Sequence, residues 1–288
     1  MTYTEPAWAK LNLTLDILGK RPDGYHDLRM VMQSVSLKDD VTLEDGEHPG
    51  IHVTSNFRFL PSDGTNIAAK AATRFFEETG LPPRDLAIHI RKEIPVCAGM
   101  AGGSSDGAAV LRILGRACRP ELSREELEAI AAGVGSDVPY CVRCGTALAE
   151  GRGEQLSDLP PLPPCFLVVC KPPLAVSTPE LFSQVRVQRL RCHPDTAGMV
   201  SALEAGDLEG IAHRLYNVFE DVLPRKYAQV FDIKRSLLDS GAMAASMTGS
   251  GPTVFGIFRD REAADAARER LLPLFPQTFL CTPVGKMD

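Results

Sequence analysis

Apolar and less apolar residues alternate along Leu86-Ala87-Ile88-His89-Ile90, the period of a half-buried strand. Further along, Ala109, Val110, Ile113, Leu114 and Ala117 recur at helical spacing, with Arg112 and Arg116 on the other face. This pattern predicts a helix starting at Ser104 or Ser105. Helical patterns also cover Asn66 to Gly80, where Ile67, Ala71, Phe75 and Phe76 share a face and Gly80 marks the stop. Leu122 to Ala132 is predicted helical behind a Ser123/Glu126 capping box, as are Glu262 to Leu272 and the stretches starting at Pro179, Met199 and Asp207. Strands are predicted at Leu11 to Leu18, Val41 to Leu43, Ile51 to Thr54, Phe166 to Cys170 and Val254 to Phe258. Tyr140 to Leu148 reads as a strand or hairpin running into Glu150-Gly151-Arg152-Gly153.

Strands and helices mix without parallel βαβ regularity, so the expected fold class is α+β in two domains. The run Pro160-Pro161-Leu162-Pro163-Pro164 fits neither helix nor central strand, and it divides the chain into residues 1–158 and 159–288. At 288 residues the chain can build two cores. No apolar run reaches membrane-spanning length, and the first residues carry neither a basic patch nor a signal core, so the expected location is cytoplasmic, away from membranes. A net charge of −6 argues against nucleic acid as a partner. Phosphorylated ligands remain open, with Lys10, Arg21, Lys92 and Arg152 as local cations.

The 8 cysteines suggest no disulfide framework. Cys141 and Cys144 form a lone C-x-x-C, and Cys192-His193 adds another pair. A structural zinc needs four ligands, so packed cysteines are the preferred reading and metal or redox chemistry the alternative. No metal ligand is assigned.

Between the strand at Leu86 and the helix lies Pro95-Val96-Cys97-Ala98-Gly99-Met100-Ala101-Gly102-Gly103-Ser104-Ser105-Asp106. Small residues ahead of a helix N-terminus suit a phosphate, because free N–H groups and the positive dipole end converge there. The loop lacks the Lys-Ser/Thr ending of a Walker loop and the spacing of a dinucleotide fingerprint. On its own it is a phosphate cradle or a tight turn.

Three separated segments resemble the motifs of the GHMP small-molecule kinase superfamily. They are Ala9-Lys10-Leu11-Asn12-Leu13 with Gly24-Tyr25-His26, the loop from Pro95, and Met247-Thr248-Gly249-Ser250-Gly251. Gly135-Ser136-Asp137-Val138-Pro139 and Ala149-Glu150-Gly151-Arg152-Gly153-Glu154 fit the branch acting on a cytidine-diphosphate-linked methylerythritol. The resemblance implies a two-domain GHMP kinase-like fold with its site in the cleft between domains. It also implies ATP with Mg²⁺, a small-molecule acceptor phosphorylated on its tertiary 2-hydroxyl, and a place in non-mevalonate isoprenoid precursor synthesis. Lys10 and Asp137 match the catalytic pair. Pro95 through Ser105, with Asn66, match the ATP side; Asn12, Tyr25, His26 and Thr178 match the acceptor side; and Gly249, Ser250 and Gly251 form the third motif. Each keeps a plainer reading: Asp137 and Asn66 as helix caps, Lys10 as a strand-start lysine, the Gly249 loop as a turn. Ser104 or Ser105 is a possible Mg²⁺ contact.

Cys97 and Ala101 replace glycines common in the family, which suggests backbone angles there that do not demand glycine. Gly107 stands where alanine is usual, at a cost to the helix of up to about 1 kcal/mol. Two alternatives stand beside this: another GHMP kinase acting on homoserine, mevalonate or a sugar, and a non-catalytic regulator on the same fold. The expected assembly is a monomer or homodimer.

Overall fold

The computed structural model describes residues 2–287. A long antiparallel hairpin of β1 (Thr2–Lys20) and β2 (His26–Asp45) forms the spine of a seven-stranded sheet. Its turn places Gly24 at φ 88°, a conformation glycine adopts without steric penalty. β3 (Ile51–Ser55) runs parallel to β4 (Leu86–Arg91), which pairs with the C-terminal half of β2. β5 (Thr146–Gly151) pairs with the other half of β2 and carries β6 (Gln155–Asp158). Residues 159–165, with the proline run, hold no helix or strand and lead to a second sheet. That sheet contains β7 (Phe166–Cys170) and, after β8 (Tyr216–Asn217) returns to pair with β1, β9 (Ala244–Met247), β10 (Val254–Phe258) and β11 (Thr278–Cys281). Its order is β11-β7-β10-β9, antiparallel throughout.

The helices are α1 (Ile67–Thr79), α2 (Gly102–Cys118), α3 (Arg124–Ala132), α4 (Val138–Arg143), α5 (Thr178–Gln184), α6 (Thr196–Glu204), α7 (Leu208–His213), α8 (Gln229–Asp239) and α9 (Arg261–Leu271). The helix expected from the Ser123/Glu126 box is present with both reciprocal bonds formed. Gly80 ends α1 at φ 67°. Gly107 lets α2 approach α1 closely: a Cβ there would lie 3.0 Å from Ile67 Cγ2 and 3.3 Å from its carbonyl oxygen. One apolar layer joins the two sheets, with Leu11, Leu13 and Val31 facing Leu167, Val169, Phe255 and Ile257.

Three expectations are corrected. Helix α2 begins at Gly102, ahead of Ser104, because Ala101 itself takes a left-handed cap conformation at φ 58°. Tyr140 to Arg143 belongs to α4 rather than a strand. Pro139 presets the first turn, and the helix is buried all round, so its apolar run carries no helical period. Finally, β2 starts at His26; the short strand expected at Val41 to Leu43 is only its end. Met30 to Val35 is buried on both faces, which erases the alternation that marks a strand.

Candidate active site

Two cavities meet at the loop between β4 and α2. The larger, about 560 Å³, is bordered by every residue from Pro95 to Ser104, by Asn66 and Ile67 at the start of α1, and by Lys92, Asp106 and Thr178. The smaller, about 270 Å³, is bordered by Lys10, Asp137, Thr178, Phe182 and Gly249 to Gly251. Cys97, Gly99, Ala101 and Thr178 border both, so the loop is the partition between them.

The larger cavity has free backbone donors on its wall. α2 has no side-chain cap, and among the described residues the amides of Gly102, Gly103 and Ser104 have no protein partner. A helix start left open in this way offers its N–H groups to a ligand. The Ser104 hydroxyl is likewise without a protein partner and borders the cavity. Ser105, expected with it, is 1% exposed, and its hydroxyl donates to the Trp8 carbonyl at 2.7 Å. Asn66 caps α1, accepting from Ala68 N at 2.9 Å, and also stands on the cavity wall. The cap reading of Asn66 holds, and the residue also borders the cavity.

The loop's backbone overturns one expectation. Cys97 and Ala101 sit at φ 53° and 58°, inside the left-handed region where glycine is favoured. Gly99, at φ 71°, touches the third motif main chain to main chain: a Cβ there would lie 2.4 Å from the Thr248 carbonyl oxygen. Gly249 is its counterpart at φ 57°, where a Cβ would lie 2.7 Å from Gly99 O.

Around the smaller cavity, Lys10 is buried on β1, its amide donating to Met100 O at 3.2 Å and its Nζ to Asn12 Oδ1 at 2.7 Å. Asn12 Oδ1 also accepts from Gly249 N at 2.9 Å. Asn12 is itself 1% exposed and does not border the cavity. It ties the ammonium to the third motif. Asp137 precedes α4 without capping it through its side chain, leaving the carboxylate to the cavity it borders. No ion pair joins Lys10 to Asp137 directly; they share the cavity wall. Thr178, at the start of α5, shares a hydrogen bond with Ser250 at 2.7 Å.

Tyr25 and His26 lie outside that wall. Tyr25 is 55% exposed, with the Arg152 guanidinium 5.1 Å from its ring centroid. His26 stacks on Phe182 at 4.9 Å, and Phe182 borders the cavity. Burial and then Lys20 hold His26 below its ordinary value. Phe182 and Phe219, an edge-to-face pair on the cavity wall, have no counterpart in the sequence reading. The helical pattern from Pro179 was the only local signal for Phe182.

One expectation fails here: Lys92, read as a local cation for a phosphorylated ligand, is buried and already paired with two carboxylates. Lys92, beneath Gly102, donates to Asp39 and, at 2.6 Å, to Asp106 Oδ2. Asp39 Oδ1 accepts from Glu93 N at 2.6 Å and Ile94 N at 2.8 Å. Burial pushes Asp106 up to about 8 despite the pull of Lys92, with Asp39 adding to the rise. Burial lowers Lys92, yet Asp106 and Asp39 together hold it above its ordinary value.

The cysteine motif faces neither cavity. Cys141 and Cys144 are buried, Cys141 Sγ lies 3.3 Å from Ser105 Oγ, and burial pushes both thiols up, away from the thiolate that metal or redox chemistry uses. No helix among the described residues is long and apolar enough to cross a membrane.

Comparison with known proteins places this geometry. Residues 66–145 match the GHMP kinases N terminal domain and residues 199–275 the GHMP kinases C terminal domain. The chain is 42% identical over 276 residues to 4-diphosphocytidyl-2-C-methyl-D-erythritol kinase of Lachnoclostridium phytofermentans, covering 95% of this chain and 94% of the relative. It is 42% identical over 287 residues to the enzyme of the same name from Geobacillus kaustophilus, covering 99% and 98%. A crystal structure of 4-(cytidine 5'-diphospho)-2C-methyl-D-erythritol kinase superposes with TM-score 0.82 at 30% identity, over 98% of this chain and 100% of that one. Homoserine kinase from Cytophaga hutchinsonii, at 17% identity and TM-score 0.76 over 100% of this chain and 96% of that one, shares the fold. The chain belongs to the GHMP kinase family, as a phosphotransferase using ATP on an alcohol of a small molecule.

Proposed function

We propose that the chain transfers the γ-phosphoryl group of ATP to the 2-hydroxyl of 4-diphosphocytidyl-2-C-methyl-D-erythritol, a step toward isoprenoid precursors. The observation that carries this is the pair of cavities meeting at Gly99 and Ala101, an open helix N-terminus on one side and Lys10 with Asp137 on the other. The relatives named for that acceptor supply its identity. Triphosphate oxygens take the amides of Gly102, Gly103 and Ser104. Asp137 accepts the hydroxyl proton, while Lys10, held by Asn12, orients the acceptor and offsets charge developing on the transferred group.

Asn12 acts through Lys10 rather than by contact, and Thr178 and Ser250 border the acceptor. Tyr25 and His26, beside Phe182 at the rim, offer ring faces to the cytosine. A Mg²⁺ ion fits the oxygen donors at the loop, with the Ser104 hydroxyl as the protein contact. When bound, it neutralises phosphate charge. We place the domain boundary at residues 158 and 159, where the chain leaves the first sheet. The cytoplasm is the proposed compartment, on the strength of eight free cysteines. A monomer or homodimer is the proposed assembly.

Asp137→Asn tests the chemistry: nucleotide binding stays near wild type while kcat falls about 10²–10⁴-fold. A variant turning over near the wild-type rate removes Asp137 from the mechanism.

A further inference from the structure

Four arginines border a cavity that shares no residue with either cavity of the candidate active site. Its volume, about 440 Å³, lies in the range of small-molecule sites. Arg112 and Arg116 come from the C-terminal half of α2, Arg119 follows that helix, and Arg124 opens α3. Gly115, on the same wall, is about 18 Å along the helix axis from Gly103 in the active site. No acidic residue borders the cavity, and Leu127, Val142 and Met287 supply apolar surface between the guanidinium groups.

The carboxylates behind the wall leave much of this donor capacity unused. Arg112 is fully engaged, by Glu5, by Cys141 O at 2.6 Å and by Pro6 O at 2.7 Å, and acts as a fixed charge. Glu5 is shared, and Arg116 reaches it through Nη2 alone. Arg119 uses Nε on Glu121 and Nη1 on Thr79 O, which leaves Nη2. Arg124 is the least satisfied. Its Nε has no hydrogen-bond partner, and its Nη1 has none among the described residues. Glu128 and Asp158 stand 3.5 and 3.8 Å from it, while Arg143 holds the same two carboxylates at 2.6 and 3.0 Å.

Guanidinium groups with donors to spare recognise carboxylate or phosphate oxygens, and the apolar side chains between them take hydrocarbon. We infer that this cavity is a second ligand site, for a small organic anion with an apolar body. Arg119 and Arg124 hold the anionic head, with Arg112 and Arg116 adding positive field. Both halves of the ligand contribute. An inorganic anion leaves the apolar wall uncovered, and a neutral hydrocarbon leaves the guanidinium groups facing it unpaired. Binding here leaves the nucleotide and acceptor cavities open.

The test is calorimetric titration of the full chain with octyl phosphate, inorganic phosphate and octanol, with and without saturating ATP. One octyl phosphate is expected per chain, with a Kd that ATP changes by less than about twofold and with both half-ligands weaker by about tenfold or more. Arg119→Gln and Arg124→Gln, checked for folding by circular dichroism, should each weaken octyl phosphate about tenfold, the worth of a charge-assisted hydrogen bond, and leave ATP binding unchanged. Arg124→Lys, which keeps the charge, should recover part of that loss.

Absence of octyl phosphate binding overturns the proposal, as does binding indifferent to both glutamine substitutions or matched by octanol. Displacement by ATP also overturns it, because the phosphate head would then sit at the amides of Gly102 and Gly103. Sedimentation with phosphatidylglycerol vesicles separates a dissolved anion from a lipid head group. The chain is expected to stay in the supernatant, and sedimentation that the glutamine substitutions abolish would assign the arginines to a membrane surface instead.

Discussion

Replacing Gly99 by alanine should damage the site through the backbone alone. The new Cβ would lie 2.4 Å from Thr248 O and 3.1 Å from Gly251 N, and both atoms are main chain, so no side chain can swing aside. Restoring ordinary contact near 3.4 Å requires the two loops to part by about 1 Å. The residue is also held at φ 71°, which costs a non-glycine residue about 1–2 kcal/mol. Overpacking adds about 1–3 kcal/mol, giving a loss of stability near 2–5 kcal/mol. Because the same loop separates the two cavities, a shift of that size misaligns donor and acceptor, with an expected fall in kcat of about 10²-fold. Urea denaturation gives the first number and steady-state ADP release the second. An alanine variant with an unchanged denaturation midpoint and kcat within about twofold of wild type would show that the loops do not meet main chain to main chain.

Ala101→Gly relieves a left-handed alanine, but it loosens the unfolded chain, so stability should stay level or rise by about 1 kcal/mol with kcat retained. A clear drop in denaturation midpoint would contradict the strained cap. Asn12→Ala removes the acceptor shared by Lys10 Nζ and Gly249 N; the two buried donors left behind imply a loss of about 2–4 kcal/mol and a lower kcat. Unchanged kcat would mean that Lys10 needs no tether. Cys97 is exposed and borders both cavities, so ATP should slow its alkylation by iodoacetamide; equal rates with and without ATP would place it away from the nucleotide.

Glu5 is buried, which raises its carboxyl, yet Arg116 and Arg112 hold it below its ordinary 4.5. A depressed carboxylate stabilises the fold above its unfolded value and loses that contribution as pH falls through the folded one. Glu5→Gln should therefore destabilise at pH 7, and the gap between wild type and variant should narrow as pH falls below 4.5. A pH-independent gap would refute the pairing.

What the sequence made legible were features written locally: the glycine run before α2 and the Ser123/Glu126 box. The order of the motifs carried the family; Lys10 and Asp137, named through it, border one cavity. Features formed across the chain left no local mark. Lys92 meets Asp39 and Asp106 only after β2, the end of β4 and α2 have packed together. Asn12 looked like a ligand contact because its partners, Lys10 and Gly249, are brought together only by the joining of the two sheets. The left-handed angles of Cys97 and Ala101 occur in the loop that meets Thr248 main chain to main chain, and residue identity at those two positions does not report them.

The most direct test of the central claim supplies the purified chain with ATP, Mg²⁺ and, in separate reactions, 4-diphosphocytidyl-2-C-methyl-D-erythritol, mevalonate and homoserine. ADP release is followed, and the new phosphate is located by phosphorus NMR. The expected result is turnover with the cytidylyl acceptor alone, with the phosphate on its 2-oxygen. Turnover with mevalonate or homoserine in its place, or phosphate on another hydroxyl, would contradict the account.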